Sequence, residues 1–385
     1  MSQVFSILTK EKLENALQNA LDKIEGAIPD FTDAFPGAAS VDGVYPPTQN
    51  TGWTQSFWTG MLWLAYEFTK EKRFLDTANH LMDSFFHRLE NRIGLDNHDI
   101  GFVFLLSTVA GYKVTGNSVL KEASLEAAGL LADRFREKGQ FIQLVGDADC
   151  EDPIYYRLII DCLMNIELLY WAGKESVNED FTRKAFAHFN TTMETVVRED
   201  GSTFQNFYFD QQTGARLGGG SKQGFSDTSC WSRGHSWGVI GAPFTYSYMK
   251  NDDIMEKYYA ITDYFLDHLP KDRVAFWDLC FTDGDDQPRD SSAAAIAVCG
   301  LLEACKEMPL DDAHRERYWN EAEAIMNSLI ENYTTKDDPK SNGLLKHATY
   351  HLKGGLGIDE CNIWGDYFYM EALMRFLNPD WKKYW

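Results

Sequence analysis

The chain has 385 residues, 44% of them hydrophobic, and a formal net charge of −22 at neutral pH. This length allows either two domains or one large closed architecture. No basic stripe is present, which excludes nucleic acid as a partner because phosphate binding needs clustered Lys and Arg, and an anionic membrane surface is disfavoured for the same reason.

The N-terminal sequence and the cysteines bear on the cellular compartment of the protein. The N-terminus, Met1-Ser2-Gln3-Val4-Phe5, lacks the basic and apolar regions of a signal peptide, and no run of about 18 apolar residues is present. The seven cysteines show no CxxC spacing. We therefore expect a cytoplasmic protein with reduced thiols, either a monomer or a homodimer, without membrane or nucleic-acid partners.

Helical periodicity dominates the chain, because apolar residues recur at i, i+3, i+4 and i+7. It predicts helices at 8–27, 57–70, 72–92, 98–115, 118–138, 153–173, 178–199, 230–249, 251–270, 290–306, 312–333 and 362–377. Short hairpin strands are expected only at 202–210 and 275–278. Long loops alternate with short ones, so the helices pair into six hairpins. We expect an all-α protein with residues 1–385 as a single domain, arranged as an open solenoid or a closed ring.

Polar and aromatic residues cluster where six of these helices begin. The six segments are Gly52-Trp53-Thr54-Gln55-Ser56-Phe57-Trp58, His98-Asp99-Ile100-Gly101, Arg157-Leu158-Ile159-Ile160-Asp161, Cys230-Trp231-Ser232-Arg233-Gly234-His235-Ser236-Trp237, Arg289-Asp290-Ser291-Ser292 and Ile363-Trp364-Gly365-Asp366-Tyr367. In a closed ring these starts would converge on one mouth, whereas an open solenoid would spread them along a groove. Their recurrence therefore favours closure around a shared pocket.

Two carboxylates stand out within these segments. Asp99 precedes an apolar run and is either a functional acid or a simple helix cap. Asp161 follows Leu158-Ile159-Ile160 on what the periodicity predicts to be an apolar helical face. Burial there should raise its pKa, which suits a general acid near neutral pH. The alternative is a structural pair with Arg157 four residues earlier.

The remaining polar groups allow fewer chemistries. Arg233 offers a planar fork to a ligand carboxylate, or it bridges acidic side chains of the protein. Gln223 lies on a glycine-rich loop that matches neither the dinucleotide nor the phosphate-loop pattern. His347 and His351 do not lie in a helix-like stretch, and neither an H-E-x-x-H nor a G-x-S-x-G motif is present. We therefore expect no metal and no other cofactor.

The joint pattern of five segments resembles a known family. The segments are His98-Asp99-Ile100-Gly101-Phe102, Ile159-Ile160-Asp161, Trp231-x-Arg233-Gly234-x-x-Trp237, Arg289-Asp290-Ser291-Ser292-Ala293 and Ile363-Trp364-Gly365-Asp366-Tyr367. Between about residues 45 and 377 the chain is similar to the unsaturated glucuronyl hydrolases, glycoside hydrolase family 88. The resemblance implies an (α/α)6 barrel of six helical hairpins, with short β-hairpin loops at the mouth.

The resemblance also implies an activity. Members of this family release a 4,5-unsaturated uronic acid from the non-reducing end of oligosaccharides made by polysaccharide lyases, and they do so by hydrating the C4=C5 vinyl ether. By resemblance Asp161 is the general acid and base, and Asp99 is the second catalytic carboxylate. The substrate-binding positions implied in the same way are Trp53, His98, Gln223, Arg233 and Trp237. Among them, Arg233 is expected to bind the sugar carboxylate.

The chain departs from some relatives in its loops. Some relatives carry Trp in the loop before the helix of Asp161, where this chain reads Leu144-Val145-Gly146. Some carry His at the position of Gln205. Relatives that accept sulfated substrates carry Ser residues in the C-terminal loop, which here reads His347-Ala348-Thr349-Tyr350-His351-Leu352-Lys353-Gly354-Gly355. These changes leave the chemistry intact, and we expect a preference for unsulfated substrates.

Other activities fit part of the pattern. An unsaturated rhamnogalacturonyl hydrolase would use the same barrel and chemistry on pectin fragments. A conventional inverting glycosidase would use Asp99 and Asp161 as its acid and base. A sugar epimerase would need His98 and His235 at the mouth of the barrel. A non-catalytic helical scaffold gives no reason for an acid at position 161.

Overall fold

Twelve long helices run through the part of the chain that the computed structural model describes, which is residues 7–146, 152 and 154–385. They are α1 Lys10–Ala27, α2 Gln55–Thr69, α3 Lys72–Glu90, α4 100–115, α5 Ser118–Ala132, α6 162–176, α7 Glu179–Thr195, α8 Ser232–Met249, α9 Asp252–Asp267, α10 Ser291–Glu307, α11 315–333 and α12 Ile363–Leu377. Wider π-helical turns interrupt α4 at Leu105–Val109 and end α11 at Leu329–Tyr333. The twelve predicted helices are therefore all present.

The even-numbered helices form a closed inner ring. Each of α2, α4, α6, α8, α10 and α12 contacts the next, and α12 contacts α2 again. An inner helix is buried on all sides, so every residue of α8 from Ser232 to Thr245 is buried. An outer helix such as α3 buries one apolar stripe and exposes its other face. This closure excludes the open solenoid.

Small residues allow the inner helices to approach closely. A Cβ atom built on Gly300 of α10 would lie 2.6 Å from the carbonyl oxygen of Val239 on α8. A Cβ atom on Gly241 of α8 would lie 2.7 Å from Leu163 Cβ on α6. Any side chain at these positions would push neighbouring inner helices apart, since real Cβ contacts are longer.

Short strands decorate the loops that join the hairpins. They are β1 Phe35–Pro36, β2 Pro47–Thr48, β3 Phe135–Arg136, β4 Phe141–Ile142, β5 Arg157–Ile159, β6 Asn206–Phe209, β7 Arg216–Gly220, β8 Ala348–His351 and β9 Leu356–Glu360. The only sheet of three strands among the described residues has the antiparallel order β5-β6-β7. The expected strand within 202–210 is thus confirmed, whereas 275–278 makes only isolated bridges to Trp231 and Arg289.

Two predicted helix boundaries are wrong. The helix expected over 153–173 begins only at Cys162, and residues 157–159 form β5 instead; residue 153 lies outside the described residues. The apolar run Leu158-Ile159-Ile160 suits either structure, and pairing with the distant β6 decides for the strand. The helix expected over 118–138 ends at Ala132, because residues 135–136 pair with β4.

Buried apolar side chains from both rings of helices belong to one connected core. Among the described residues, no helix combines the length and the apolar character that crossing a bilayer requires. The N-terminal segment Met1–Phe5, on which the expectation of no leader rests, lies outside the described residues. The assignment of residues 1–385 to a single domain stays a prediction.

Candidate active site

A cleft of about 340 Å³ opens at the mouth where the inner helices begin. Six of the seven predicted site residues line it, namely Trp53, Asp99, Asp161, Gln223, Arg233 and Trp237. The seventh, His98, is 1% exposed and lies beneath the cleft surface, where it contacts the carboxylates of Asp99 and Asp161. The fold thus brings together residues that are up to 184 positions apart in the chain, from Trp53 to Trp237.

The two aspartates and His98 form a compact triad. Nε2 of His98 lies 3.3 Å from Oδ1 of Asp99 and 3.9 Å from Oδ1 of Asp161. One side-chain nitrogen or oxygen of each residue lies within 4.8 Å of the other two. The carboxylates keep 23% and 20% of their side chains exposed, so both remain reachable from the cleft.

Electrostatics within this triad favour a proton on Asp161. Burial raises the pKa of Asp161 to about 6; the charge of His98 opposes this shift and that of Asp99 adds to it. Burial alone would lower the pKa of His98, but the carboxylate of Asp99 and the thiol of Cys162 hold it well above its usual value. A positively charged His98 beside Asp99 and a carboxylic acid at Asp161 can therefore coexist in weakly acidic solution.

Gly101 explains why Asp99 and Asp161 are neighbours. A Cβ atom at this position would lie 2.3 Å from Cα of Asn165, so the first turns of α4 and α6 touch backbone to backbone. Oδ1 of Asn165 also accepts a 2.7 Å hydrogen bond from the backbone N–H of Phe102. Each helix start places one aspartate just before its first residue, and this contact sets the spacing between the two acids.

Arg233 is held by three hydrogen bonds to the protein. Its Nη1 donates to Oδ2 of Asp290 at 2.8 Å and to the carbonyl oxygen of Thr349 at 2.6 Å, and its Nη2 donates to the carbonyl oxygen of Tyr350 at 2.5 Å. The guanidinium lies between the rings of Trp231 and Trp364, at 4.5 and 4.9 Å. Three of the five guanidinium N–H groups have these acceptors, and the contact of the others with a sugar carboxylate stays a prediction.

Arg233 is held in place by two of the polar helix starts, Arg289-Asp290-Ser291-Ser292 and the segment of Trp364. Oδ1 of Asp290 caps α10 by accepting from the backbone N–H of Ser292 at 3.2 Å, while its other oxygen binds Arg233. Nε1 of Trp364 donates to Oγ of Ser292 at 2.9 Å. These residues brace the mouth of the barrel rather than face the cleft.

Aromatic rings and amides complete the walls. Trp53 stacks on Trp364 at 5.0 Å, and its Nε1 donates to the hydroxyl of Tyr350 at 3.2 Å. Gln223 is held by two amide hydrogen bonds: its Oε1 accepts from Gln205 at 2.6 Å and its Nε2 donates to the carbonyl oxygen of Tyr350 at 3.2 Å. Tyr350, which the sequence did not single out, thus anchors three predicted site residues, Trp53, Gln223 and Arg233. Its position within the C-terminal loop quoted from the sequence was the available signal.

Several alternative interpretations fail on geometry. Asp99 and Asp161 make no side-chain cap to the helices they precede. Arg157 lies on β5 and donates to the carbonyl oxygen of Ile154, not to Asp161, among the described residues. An inverting glycosidase separates its carboxyl groups by roughly 6.5–9.5 Å, but here the nearest oxygens lie within 4.8 Å. His235 is buried and bonds the carbonyl oxygen of Ile261 through Nε2, so it does not serve the cleft.

A closed barrel of six helical hairpins, with a carboxylate pair in an aromatic cleft at its mouth, is an arrangement that suits an enzyme acting on carbohydrates. The sequence model of Glycosyl Hydrolase Family 88 matches residues 24–374, and the chain belongs to this family. It is therefore a glycoside hydrolase, as its sequence predicted.

Individual relatives agree over nearly the whole chain. The unsaturated chondroitin disaccharide hydrolase of Streptococcus pneumoniae is 45% identical over 379 residues, which cover 98% of this chain and 95% of the relative. The crystal structure of the unsaturated glucuronyl hydrolase of Streptococcus agalactiae superposes with a TM-score of 0.96 at 43% identity, covering 99% of this chain and 95% of that one. A mutant of the latter enzyme, complexed with dGlcA-GalNAc6S, superposes with a TM-score of 0.89 at 40% identity, covering 100% and 96%. The predicted all-α (α/α)6 barrel is confirmed.

Proposed function

We propose that this chain releases the 4,5-unsaturated uronic acid from the non-reducing end of glycosaminoglycan oligosaccharides produced by polysaccharide lyases. Family membership supports the reaction class, and the names of the relatives support the substrate. The observation that carries the proposal is the carboxyl group of Asp161. Its pKa near 6 and its position between Asp99, His98 and an aromatic cleft suit a proton donor that works near neutral pH.

The first chemical step is protonation of a vinyl ether. In the substrate C5 is bonded to the ring oxygen and doubly bonded to C4, so electron density from that oxygen makes C4 basic. Asp161 gives its proton to C4, and positive charge develops on C5 and the ring oxygen. The carboxylate of Asp161 that results, together with Asp99, stabilises this charge at close range.

The second step adds water at C5. Asp161, now ionised, takes one proton from the water as its oxygen bonds to C5, which restores the acid and forms a hemiketal. The hemiketal opens by breaking the bond between C5 and the ring oxygen, leaving a ketone at C5. The hemiacetal left at C1 then breaks down to an aldehyde and releases the remaining sugar as an alcohol. No cofactor enters this sequence.

The other site residues orient the substrate. Asp99 accepts hydrogen bonds from sugar hydroxyls, and the buried His98 holds the Asp99 side chain in place through a contact of 3.3 Å. Trp53 and Trp237 present ring surfaces to the sugar. Gln223 offers a fixed amide edge, while Arg233 holds Trp231 and the backbone of β8 and has further N–H groups for the substrate.

Turnover of a panel of unsaturated disaccharides tests the proposal. The C4=C5 bond is conjugated with the uronate carboxylate, so hydration removes an ultraviolet absorption band. We expect loss of this band with disaccharides from hyaluronan and chondroitin, and faster turnover of the unsulfated forms because the C-terminal loop lacks the Ser pattern. Turnover of pectin-derived disaccharides alone would support the rhamnogalacturonyl alternative. Cleavage of saturated glucuronides would refute hydration.

Assembly and location are proposed from the sequence. We propose a cytoplasmic enzyme that is a monomer or a homodimer and that meets lyase products after their import. Cell fractionation and sedimentation measure these two properties directly, and activity confined to the medium would contradict the proposed location.

A further inference from the structure

One wall of the cleft carries donors for which the described part of the chain supplies no acceptor. This wall is the β5-β6-β7 sheet with the loop after β7, and it contributes Arg157, Asn206 and Lys222 to the cleft lining. Ile159 also lines the cleft and pairs with Asn206 across the sheet. Side chains two residues apart on a strand share a face, so Arg157 points the same way as Ile159.

Two of these donors are buried without a partner. Nε of Arg157 and Nδ2 of Asn206 make no hydrogen bond among the described residues, although the two residues are only 9% and 2% exposed. A buried donor without an acceptor destabilises the fold unless a ligand supplies one. The only described side-chain hydrogen bond of Arg157 goes from Nη1 to the neutral carbonyl of Ile154, at 2.8 Å.

Neither cation of this wall has an acidic partner in the described part of the chain, in contrast to Arg233, which is paired with Asp290. Burial lowers the pKa of Lys222, and the charge of Arg157 lowers it further. Two neighbouring cations without a counter-ion repel each other, and this is unusual in a chain with 58 acidic and 36 basic residues. An anionic ligand would relieve both the repulsion and the missing hydrogen bonds.

We infer that Arg157, Asn206 and Lys222 form a subsite for an anionic substituent of the substrate, either the carboxylate of the unsaturated uronate or a sulfate on the adjoining sugar. This inference rests on the proposed function for the identity of the substrate. A guanidinium, an amide and an ammonium group supply donors of the kind that carboxylate and sulfate oxygens accept. The subsite adds donors to those of Arg233, whose terminal nitrogens already bind Asp290 and two carbonyl groups.

Kinetics of charge-removing variants test the subsite. Lys222→Met and Arg157→Gln each remove a donor and a charge, and Arg157→Lys restores the charge. Lys72→Met, on the exposed start of α3, is the control for loss of one positive charge. KM and kcat are measured with an unsulfated chondroitin disaccharide, its 6-sulfated form and the methyl ester of the unsulfated form. Lys222 is exposed, so its replacement should leave the folded state intact, which thermal unfolding checks.

The substrates distinguish the two sources of the anion. If the uronate carboxylate binds here, KM of Lys222→Met and of Arg157→Gln rises about tenfold or more for the unsulfated and the 6-sulfated disaccharide. It does not rise for the methyl ester. If a sulfate binds here, KM rises only for the sulfated substrate. Arg157→Lys should recover most of the loss, and added salt should weaken substrate binding to the unmodified enzyme more than to Lys222→Met. An unchanged KM for every substrate, or an equal rise for the methyl ester, would overturn the subsite.

Binding measured without turnover keeps this inference separate from the proposed function. Calorimetric titration of sodium glucuronate and of sodium sulfate into the unmodified enzyme and into Lys222→Met compares affinities directly. If the unmodified enzyme does not hydrate the unsaturated disaccharides, the proposed function fails, and weaker anion binding by Lys222→Met still supports the subsite. Equal binding by both proteins contradicts it.

Discussion

Replacing Gly101 with Ala tests how the active site is assembled. The new Cβ atom would lie 2.3 Å from Cα of Asn165, whereas carbon atoms in contact lie about 3.5–4.0 Å apart. The first turns of α4 and α6 must therefore separate by about 1 Å or more. Because Asp99 and Asp161 directly precede these turns, the distance between the two acids must change with them.

The expected cost follows from overpacking and from misplacement. Overpacking of a buried contact destabilises a fold by about 1–3 kcal/mol. A displacement of about 1 Å at catalytic groups lowers the rate by roughly 100-fold. Gly101→Ala should therefore remain folded but show a much lower kcat, which loss of ultraviolet absorbance from an unsaturated disaccharide measures.

Gly129→Ala is the matched control. Gly129 lies in the outer helix α5, and a Cβ atom there would have no neighbour within 4 Å. Alanine at a compatible helical position stabilises a protein by about 0.4–1 kcal/mol, so this variant should keep full activity and unfold at a slightly higher temperature. A kcat of Gly101→Ala close to that of the unmodified enzyme would refute the assignment of Gly101 as the residue that sets the carboxylate spacing.

Three further predictions concern protonation, charge and packing. Because the pKa of Asp161 is raised to about 6, its acid form is lost above that pH, and kcat/KM should fall about tenfold per pH unit on the alkaline side; a flat profile from pH 5 to 8 would count against the acid role. Asp290→Asn leaves the charge of Arg233 buried without its counter-ion, so urea unfolding should show a loss of about 3–5 kcal/mol. Asp263→Asn, which removes a partner of the surface residue Arg317, should cost at most about 1 kcal/mol, and equal losses would contradict the role of burial. Trp385→Ala removes a fully buried ring that stacks on Phe368 at 5.6 Å, and calorimetry should show a loss of about 3–5 kcal/mol, whereas an unchanged Tm would show that the ring is not part of the core.

Local patterns were sufficient to predict the helices and the mouth of the barrel. An inner helix is buried on almost all sides and mostly apolar, and its start collects Trp, Asp, Arg and Ser, so the six polar starts could be recognised in the sequence. That recurrence also indicated a closed ring, which the contact between α12 and α2 establishes.

Long-range pairing limited the rest of the prediction. Residues 157–159 were predicted as helix because Leu158-Ile159-Ile160 is compatible with both structures, and only the partner strand Asn206–Phe209 fixes the outcome. The role of Arg233 depends on Asp290, 57 residues later, and on two carbonyl groups of β8. An isolated stretch of sequence contains no information about such partners, so the protein contacts of Arg233 and the donors of the sheet wall were missed.

Steady-state kinetics and substrate binding of Asp161→Asn test the central claim most directly. Asparagine keeps the shape of the side chain but cannot give or take the proton, and general acid–base catalysis contributes about 100- to 10,000-fold. We predict that kcat falls by at least this factor, while a calorimetric Kd for the unsaturated disaccharide stays close to that of the native site. Turnover within tenfold of the unmodified enzyme would contradict the assignment of Asp161 as the acid and base.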